Sequence, residues 1–534
     1  MMRNYTIQRS ICIFMLSFVV WSLLSGCAQP DYKQDADERV YRIIDQKWDP
    51  NFGGKANYKI SDTEPLPYDI QIDKEVTSFD VLTLPQTMAL ATAHNREYQN
   101  QREALYIKAL DLRLTRHEFE TQFFGGASAW YNADRNDEVV GIESRLGFNR
   151  LLAGGTRISA ELAAAWTEVL TGNLRSGLAS ILNVAVTQPL LRGSNRRIVL
   201  ENLTQAERDT LYQVRAFNRF RKTFVVSIIS QYYRVLQRSD AVKNARSNYI
   251  TLAWLDERVE DLADAGRVPL LELDRVRQEK LQAANIYSQA DKDYKQALDE
   301  FKITLSLPAT AQLELDEKEF EALRHTAMTE PEFAEEKVIE AALVQRLDIA
   351  NSADAIIDAQ RKVYVAADSL RPEANVFATA NAITARRADR QTLDWLREEY
   401  GIGLELDLAL DRVPEQNVYR KALITLNQQQ REYDLAVDMV TLEVRQAHRD
   451  LAEAAERYDV LADALKLAKK RFDNAFLLLQ YGKASSRRVL TAQNDLFDAQ
   501  NEAAQALVDY NIATLNFYRD TGALQVLPDG MWKL

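Results

Sequence analysis

Residues 440–480, VTLEVRQAHRDLAEAAERYDVLADALKLAKKRFDNAFLLLQ, and residues 486–517, SRRVLTAQNDLFDAQNEAAQALVDYNIATLNF, flank the short link Tyr481-Gly482-Lys483-Ala484-Ser485. In the first stretch Val440, Val444, Ala447, Leu451, Ala454, Tyr458, Leu461, Leu465, Ala468, Phe472, Ala475 and Leu479 recur at alternating spacings of four and three. That is the seam of a coiled coil. Leu496, Ala499, Ala503, Ala506, Tyr510, Ala513 and Phe517 keep the rhythm in the second, and neither stretch contains proline. Gly482 is the only glycine between Gly403 and Gly522, so the chain is expected to reverse there and lay one helix along the other. An arm from about Val418 to Gln480 would be roughly 95 Å long, a rod that no ordinary globular domain needs.

The whole chain leans the same way. Its 534 residues include only 18 Gly and 12 Pro, which favours long helices. The formal charge is −12, and loss of Arg3 and Arg9 with a leader would make it −14. Nucleic acid is therefore not an expected partner. The N-terminus reads as that leader: basic Arg3 and Arg9, an apolar run from Ile11 to Leu24, then Leu24-Ser25-Gly26-Cys27. The run is too short to span a bilayer comfortably. LSGC resembles a bacterial lipobox, which implies a signal peptide over residues 1–26 and lipidation of Cys27. Cys12 would leave with the leader, so no disulfide within the mature chain is expected.

Residues 27–80 carry Asp49-Pro50, Gly53-Gly54 and Glu64-Pro65-Leu66-Pro67 without a sustained period, and read as an extended lead-in. A helical pattern runs from Thr83 to Glu118, with Pro85 suited to a first turn. Four strand candidates follow at 122–131, 140–149, 157–166 and 180–188, parted by turn residues such as Ala153-Gly154-Gly155. Ile158, Ala160 and Leu162 alternate with Arg157, Ser159 and Glu161, and Leu182, Val184 and Val186 with Asn183, Ala185 and Thr187, so one face is oily and the other polar. A long helical stretch from near Asn195 to Ala265 then turns at Gly266-Arg267-Val268-Pro269. It returns through Val276, Ala283, Tyr287, Ala290, Tyr294, Ala297 and Phe301, with Lys280 as the one polar seam member.

Residues 309–334 read as acidic and irregular, and then the plan repeats. A helix from about Glu335 to Leu370 precedes a strand from Ala374 to Ile383, a charged loop from Arg386 to Glu399 and a strand from Gly401 to Asp411. In the last, Ile402, Leu404, Leu406, Leu408 and Leu410 alternate with Gly403, Glu405, Asp407, Ala409 and Asp411, a pattern and length suited to a lipid-facing barrel strand. Pro414 opens the long hairpin. Each half reads helix, strands, long helix, glycine turn, return helix, and a period of roughly 200 residues implies an internal duplication. The fold class expected is mainly α with a small β part. Its first repeat covers 81–308 with a tip at Gly266, its second covers 335–522 with a tip at Gly482, and a tail covers 523–534.

Taken together, these features resemble the TolC-family outer membrane factors, the exit ducts of tripartite efflux and type I secretion systems. The resemblance rests on the lipobox at Cys27, on Val186-Thr187-Gln188-Pro189-Leu190-Leu191-Arg192-Gly193 at a strand-to-helix junction, and on the two hairpins. Leu496-Phe497-Asp498-Ala499-Gln500 and Tyr510-Asn511-Ile512-Ala513-Thr514-Leu515 belong to the same pattern. It implies a lipid-anchored homotrimer in the bacterial outer membrane, with strands pooled into one barrel and helices forming a periplasmic tunnel. The implied partners are a periplasmic adaptor and an inner-membrane pump of RND or ABC type, and the implied adaptor contacts are the tip turns Gly266, Arg267, Gly482 and Lys483. Pooling of strands is also expected on physical grounds, since two strands cannot close a barrel and an open edge cannot face lipid.

Two departures stand out. The family pattern has two strands per repeat, whereas the first half here offers four, and the segment 139–166 is either an extra hairpin above the barrel or an extension of its strands. Family members carry paired aspartates after the C-terminal tip, whereas Arg488 and Thr491 occupy those places here, beside Arg487. With Asp261 and Asp264 near the other tip, these residues are the candidate gate; solvated surface charge is the plainer alternative.

No catalytic chemistry is legible. His94, His117, His325 and His448 have no partner at metal-ligand spacing, Gly401-Ile402-Gly403 lacks the third glycine of a dinucleotide fingerprint, and there is no P-loop or nucleophile elbow. Neither enzyme activity nor a cofactor is expected. Two functions remain: a passive outer membrane conduit, or a structural coiled-coil lipoprotein spacer without a pore.

Overall fold

The computed structural model describes residues 32–49, 52, 55, 58–60, 79–133, 138–169, 175–325, 334–385, 394–408, 410–527 and 531–533. The expected leader over residues 1–26, Cys27 and much of the expected lead-in lie outside them. Helix α1 (Tyr32–Lys47) precedes the first repeat. That repeat runs β1 (Phe79–Leu82), α2 (Leu84–His94), α3 (Arg96–His117), β2 (Gln122–Ala133), β3 (Glu138–Leu151), β4 (Arg157–Val169), β5 (Arg175–Pro189), α4 (Arg196–Val199), α5 (Glu201–Asp264) and α6 (Leu270–Thr304). Strand β6 (Leu313–Leu315) and α7 (Glu317–His325) lead into the second. It runs α8 (Glu335–Gln345), α9 (Leu347–Asp368), β7 (Glu373–Ala385), β8 (Asp394–Asp407), α10 (Val413–Gln480) and α11 (Ser486–Asp520), and β9 (Gln525–Val526) and β10 (Trp532–Lys533) form a small terminal hairpin.

The duplication is visible in element lengths: α2 and α8 have 11 residues each, α3 and α9 have 22, α6 and α11 have 35, and α5 and α10 have 64 and 68. At ~1.5 Å per residue α10 is about 100 Å long. The heptad positions do what their spacing requires. Val440, Val444, Ala447, Leu451, Ala454, Ala468 and Ala475 of α10 are buried, as are Leu496, Ala499, Ala503, Ala506 and Phe517 of α11. Lys280, the polar seam member, is explained by an ion pair of 2.8 Å to the nearly buried Asp256 across the α5–α6 seam.

Several expectations are corrected. The two helices read as continuous are each broken, at Asn95 and at Arg346, whose backbones are extended (ψ 129 and ψ 122). Asn95 caps α3 by accepting from the Tyr98 amide at 3.0 Å and donates to the Thr304 carbonyl at 2.7 Å. Its counterpart Arg346 reaches Asp348 and Glu443, each at 2.6 Å. The lead-in is not wholly extended. Val40, Ile43 and Ile44 share one face of α1 and are buried against the body, a three-to-four spacing too short to stand out in sequence. Residues 309–334 are not irregular throughout, because Leu313–Leu315 pairs in parallel with β1 and is followed by α7. Strand β8 starts earlier and ends earlier than its leucine alternation indicated, so Asp394–Glu399 is strand rather than loop, while Leu408 and Leu410 lie beyond its end. The chain must turn there to enter α10, and Leu410 is 97% exposed.

The principal core lies where α1, α2, α3, α5, the end of α6 and the β1–β6 pair meet, around Met88, Leu105, Phe217, Ile229, Tyr232 and Phe301. Each such buried side chain stabilises the fold by roughly 1.5–3 kcal/mol before entropy is counted. A second cluster joins the two hairpins near their tips through Leu252, Leu255, Val259, Val276, Val489 and Leu490.

Candidate functional site: a two-faced sheet and two glycine tips

All six long strands form one antiparallel sheet in the order β2-β3-β4-β5-β7-β8. The segment 139–166 therefore lies within the sheet, between β2 and β5. Side chains of directly paired residues share a face, so the register assigns every position. Phe123 pairs with Phe148, Leu146 with Leu162, Leu162 with Leu182, Leu182 with Ala382, and Ala378 with Ile402. On this face, positions 123–131 (odd), 140–148, 158–166, 180–186, 374–382 and 400–406 (even) contain no charged residue, and tyrosines aside only Ser144 and Ser180 are polar; the band is bounded by Glu138, in register with Ala133, and by Glu398, in register with Ala382. Yet its large side chains are uncovered: Phe123 is 81% exposed, Ile402 82%, Leu404 66% and Leu146 69%. The opposite face carries Glu143, Arg145, Arg157, Glu161, Asn183, Asn381, Thr379, Glu405 and Asp407.

Glycines on the polar face have a specific use. A Cβ at Gly141 would fall 2.3 Å from the Trp130 ring, one at Gly147 2.5 Å from Phe124, and one at Gly403 2.3 Å from Phe377. Each ring lies across the neighbouring strand and covers backbone that would otherwise be bare. Gly401-Ile402-Gly403 is thus strand, with its second glycine under an aromatic ring.

The strand-to-helix junction is a clasp between the two halves. Gln188 donates to the Gly154 carbonyl at 3.3 Å and bonds Thr156, fixing the β3–β4 turn. The Gly193 amide, in a left-handed conformation (φ 73), donates to Asp368 at 2.8 Å, and the Leu190 amide donates to the Ala374 carbonyl at 2.7 Å. Below it, Asp358 is almost buried and accepts from Tyr212 at 2.6 Å and from Arg361 at 2.7 Å, with Arg208 also paired to it. Burial alone would raise the Asp358 carboxyl, but hydrogen bonds from Tyr212, Arg361 and Gln205 and the Arg208 charge hold it below the ordinary carboxylate range. Arg361 also pairs with Glu201, and Arg215 with Asp354 at 2.6 Å. This network is hidden in the sequence because its partners belong to opposite repeats, Tyr212 and Asp358 being 146 residues apart. The only signal is the density of Arg and Asp on two helices.

The two tips are built alike. Gly266 (φ 69) and Gly482 (φ 67) sit one residue past the cap of α5 and α10. The following amides, Arg267 and Lys483, donate back to Leu262 and Leu478 at 2.9 and 2.8 Å, closing a Schellman motif at each end. Space around both glycines is open, and Arg267 and Lys483 are exposed. The gate candidates Arg487, Arg488, Thr491, Asp261 and Asp264 are all exposed. Among the described residues Arg487 and Arg488 form no ion pair with Asp261 or Asp264. One polar link between the hairpins here is Ser486, which donates to Glu272 at 3.0 Å. Thr491 bonds the Arg487 carbonyl of its own helix.

Among the described residues no three His, Cys, Asp or Glu side chains are grouped to hold a metal, and no helix is long and apolar enough to cross a membrane. No family model matches the sequence, and no curated protein matches it. Solved structures do. The outer-membrane channel OprN superposes with a TM-score of 0.61 at 16% identity, covering 88% of this chain and 96% of its own. The Campylobacter jejuni CmeC outer membrane channel gives 0.58 at 15%, covering 89% and 92%. The open state of the Neisseria gonorrhoeae MtrE outer membrane channel gives 0.60 at 14%, covering 84% and 90%. This chain has the TolC-like fold of outer-membrane channels.

Proposed function

We propose that this chain is one subunit of a passive outer-membrane exit duct, in which three copies pool their sheets into one barrel and their helices into one tunnel. The observation that carries this reading is the sheet itself. A face with an uncharged, uncovered oily band, backed by a charged face, suits a wall with lipid on one side and water on the other. Both outer edges, β2 and β8, are open within the chain, and an open edge in lipid leaves backbone groups without partners at several kcal/mol each.

The helices repeat the argument. In the lower layer the order is α6-α5-α11-α10. Exposed apolar side chains concentrate on the two outer helices, with Leu270, Leu271 and Leu281 on α6 and Leu435, Leu442, Val460 and Leu467 on α10. These are the surfaces a neighbouring copy would cover. A spacer lipoprotein without a pore has no use for the sheet's oily face. Purified protein in planar bilayers is expected to conduct ions, and a detergent-free rod that never conducts would overturn the reading in favour of the spacer.

Substrate would be handed over by an inner-membrane pump through a periplasmic adaptor seated on the glycine tips. Gly482→Leu is expected to keep the trimer, since the site is open and the left-handed backbone costs only about 1–2 kcal/mol at an exposed tip. It is expected to weaken crosslinking to the adaptor in cells, and wild-type crosslinking would remove the tip from the adaptor interface. Arg488 would form a basic ring near the pore axis with its copies. Arg488→Asp is expected to swing ion preference from anions towards cations in bilayer recordings, and unchanged selectivity would make it plain surface charge. The lipid anchor at Cys27 belongs to the same proposal.

A further inference from the structure

We infer that the β3–β4 hairpin makes this an eighteen-stranded barrel, wide enough to match the helical tunnel beneath it. The inference rests on the channel reading above and concerns the width of its exit. Strands and helices can be matched one to one across the junction. Helix α3 enters β2, β5 leads through α4 to α5, α9 enters β7, and β8 leads to α10. These helices lie side by side in the corresponding order, α3-α5-α9-α10. Only β3 and β4 have no helix below them, so the hairpin adds wall without adding tunnel.

Three observations place it in the wall. Its pairing is continuous on both sides, from Gln122↔Asn149 to Ala133↔Glu138 with β2 and from Arg157↔Thr187 to Val169↔Arg175 with β5. Its positions 140–148 and 158–166 continue the oily band without a charge, and Leu146 and Leu162 are exposed like their neighbours. Its turn is wedged into the junction. Gly155 (φ 84) sits so close that a Cβ there would lie 2.8 Å from the Gly193 carbonyl and 2.9 Å from Pro189.

Parity then permits closure. Six strands alternating in direction leave β8 of one copy antiparallel to β2 of the next, so a head-to-tail ring closes with no mismatched edge. The perimeters agree as well. Strands about 4.8 Å apart and tilted by about 40° each span roughly 6 Å of circumference. Eighteen give roughly 110 Å, and twelve would give roughly 75 Å. Four helices per chain, three chains and about 9–10 Å between axes give a tunnel of roughly 110–120 Å. A barrel with the hairpin continues the tunnel at full bore. One without it would pinch the exit, so here the size limit falls on the helical tips rather than on the barrel.

The test is end-on single-particle imaging of the full chain and of a deletion of Glu138–Val169, which joins β2 to β5 through residues 134–137 and 170–174. The expected backbone diameters are about 36 Å for the full chain and about 24 Å for the deletion. The full-chain ring decides the matter even where the deletion fails to assemble. A threefold full-chain ring of about 24 Å, or two rings of equal width, overturns the inference and leaves the channel reading standing. Absence of any ring overturns both.

Discussion

Leu404→Arg is expected to leave no assembled barrel in the outer membrane. Leu404 lies on β8 three residues before its last residue Asp407, pairs with Val376 on the oily face and is 66% exposed in the isolated chain. A guanidinium on the lipid side costs up to roughly 2–4 kcal/mol per copy, the more the deeper it lies. A symmetric trimer carries the substitution three times, so the total rivals the net stability of many domains. Leu404 belongs to none of the buried clusters, so the helical part is expected to keep its secondary structure. Membrane fractionation with immunoblotting checks the effect. The neighbouring Glu405→Arg, on the polar face, serves as control and should assemble. Equal assembly of both variants would mean that the two faces do not meet different media.

Asp358→Ala is the second large effect, and it acts on the fold rather than on the membrane. The substitution strips one nearly buried acceptor from Tyr212, Arg208, Arg361 and Gln205 at once. Removing one side of such a network costs about 3–5 kcal/mol. Glu201 and Asp354 stay close to the arginines, so the lower end of that range is expected. The measurement is the denaturant midpoint of the purified protein in detergent. The pH dependence has a defined sign. Asp358 is held below the ordinary carboxylate range, so its contribution is complete above about pH 4 and is lost as pH falls through the lowered folded value. The gap between wild type and variant should therefore be widest near neutral pH and shrink in strong acid. A gap at neutral pH of only about 0.5 kcal/mol, on the scale of an exposed pair, would show that the two repeats are held together elsewhere.

The parts of this molecule that could be read from sequence are those whose signal is local and repeated. The α10–α11 hairpin announces itself because an unbroken spacing of four and three has one physical solution, and Gly482 marks the single place where the chain can reverse. The same holds for the alternation of Ile402, Leu404 and Leu406, although it runs past the true strand end into Leu408 and Leu410, where entry into α10 overrides pattern. Breaks at Asn95 and Arg346 are hidden, because neither is glycine or proline and both sit in helix-favouring surroundings; their role depends on partners at Thr304 and Glu443. Sheet order is equally out of reach. The pairing of β5 with β7 joins Leu182 to Ala382 across both repeats, and nothing near either strand specifies it. The tips are legible as turns, but the charges beside them give no hint that Arg487 and Asp261 stay unpaired to each other within the chain.

The most direct test of the account is the mass of the detergent-solubilised particle by native mass spectrometry. Three chains of 60.9 kDa each, less any leader and with no stable single-chain species, is the predicted result. A monodisperse single chain that stays in solution without detergent would contradict it, because its oily sheet face and both open edges would then have found shelter within one copy.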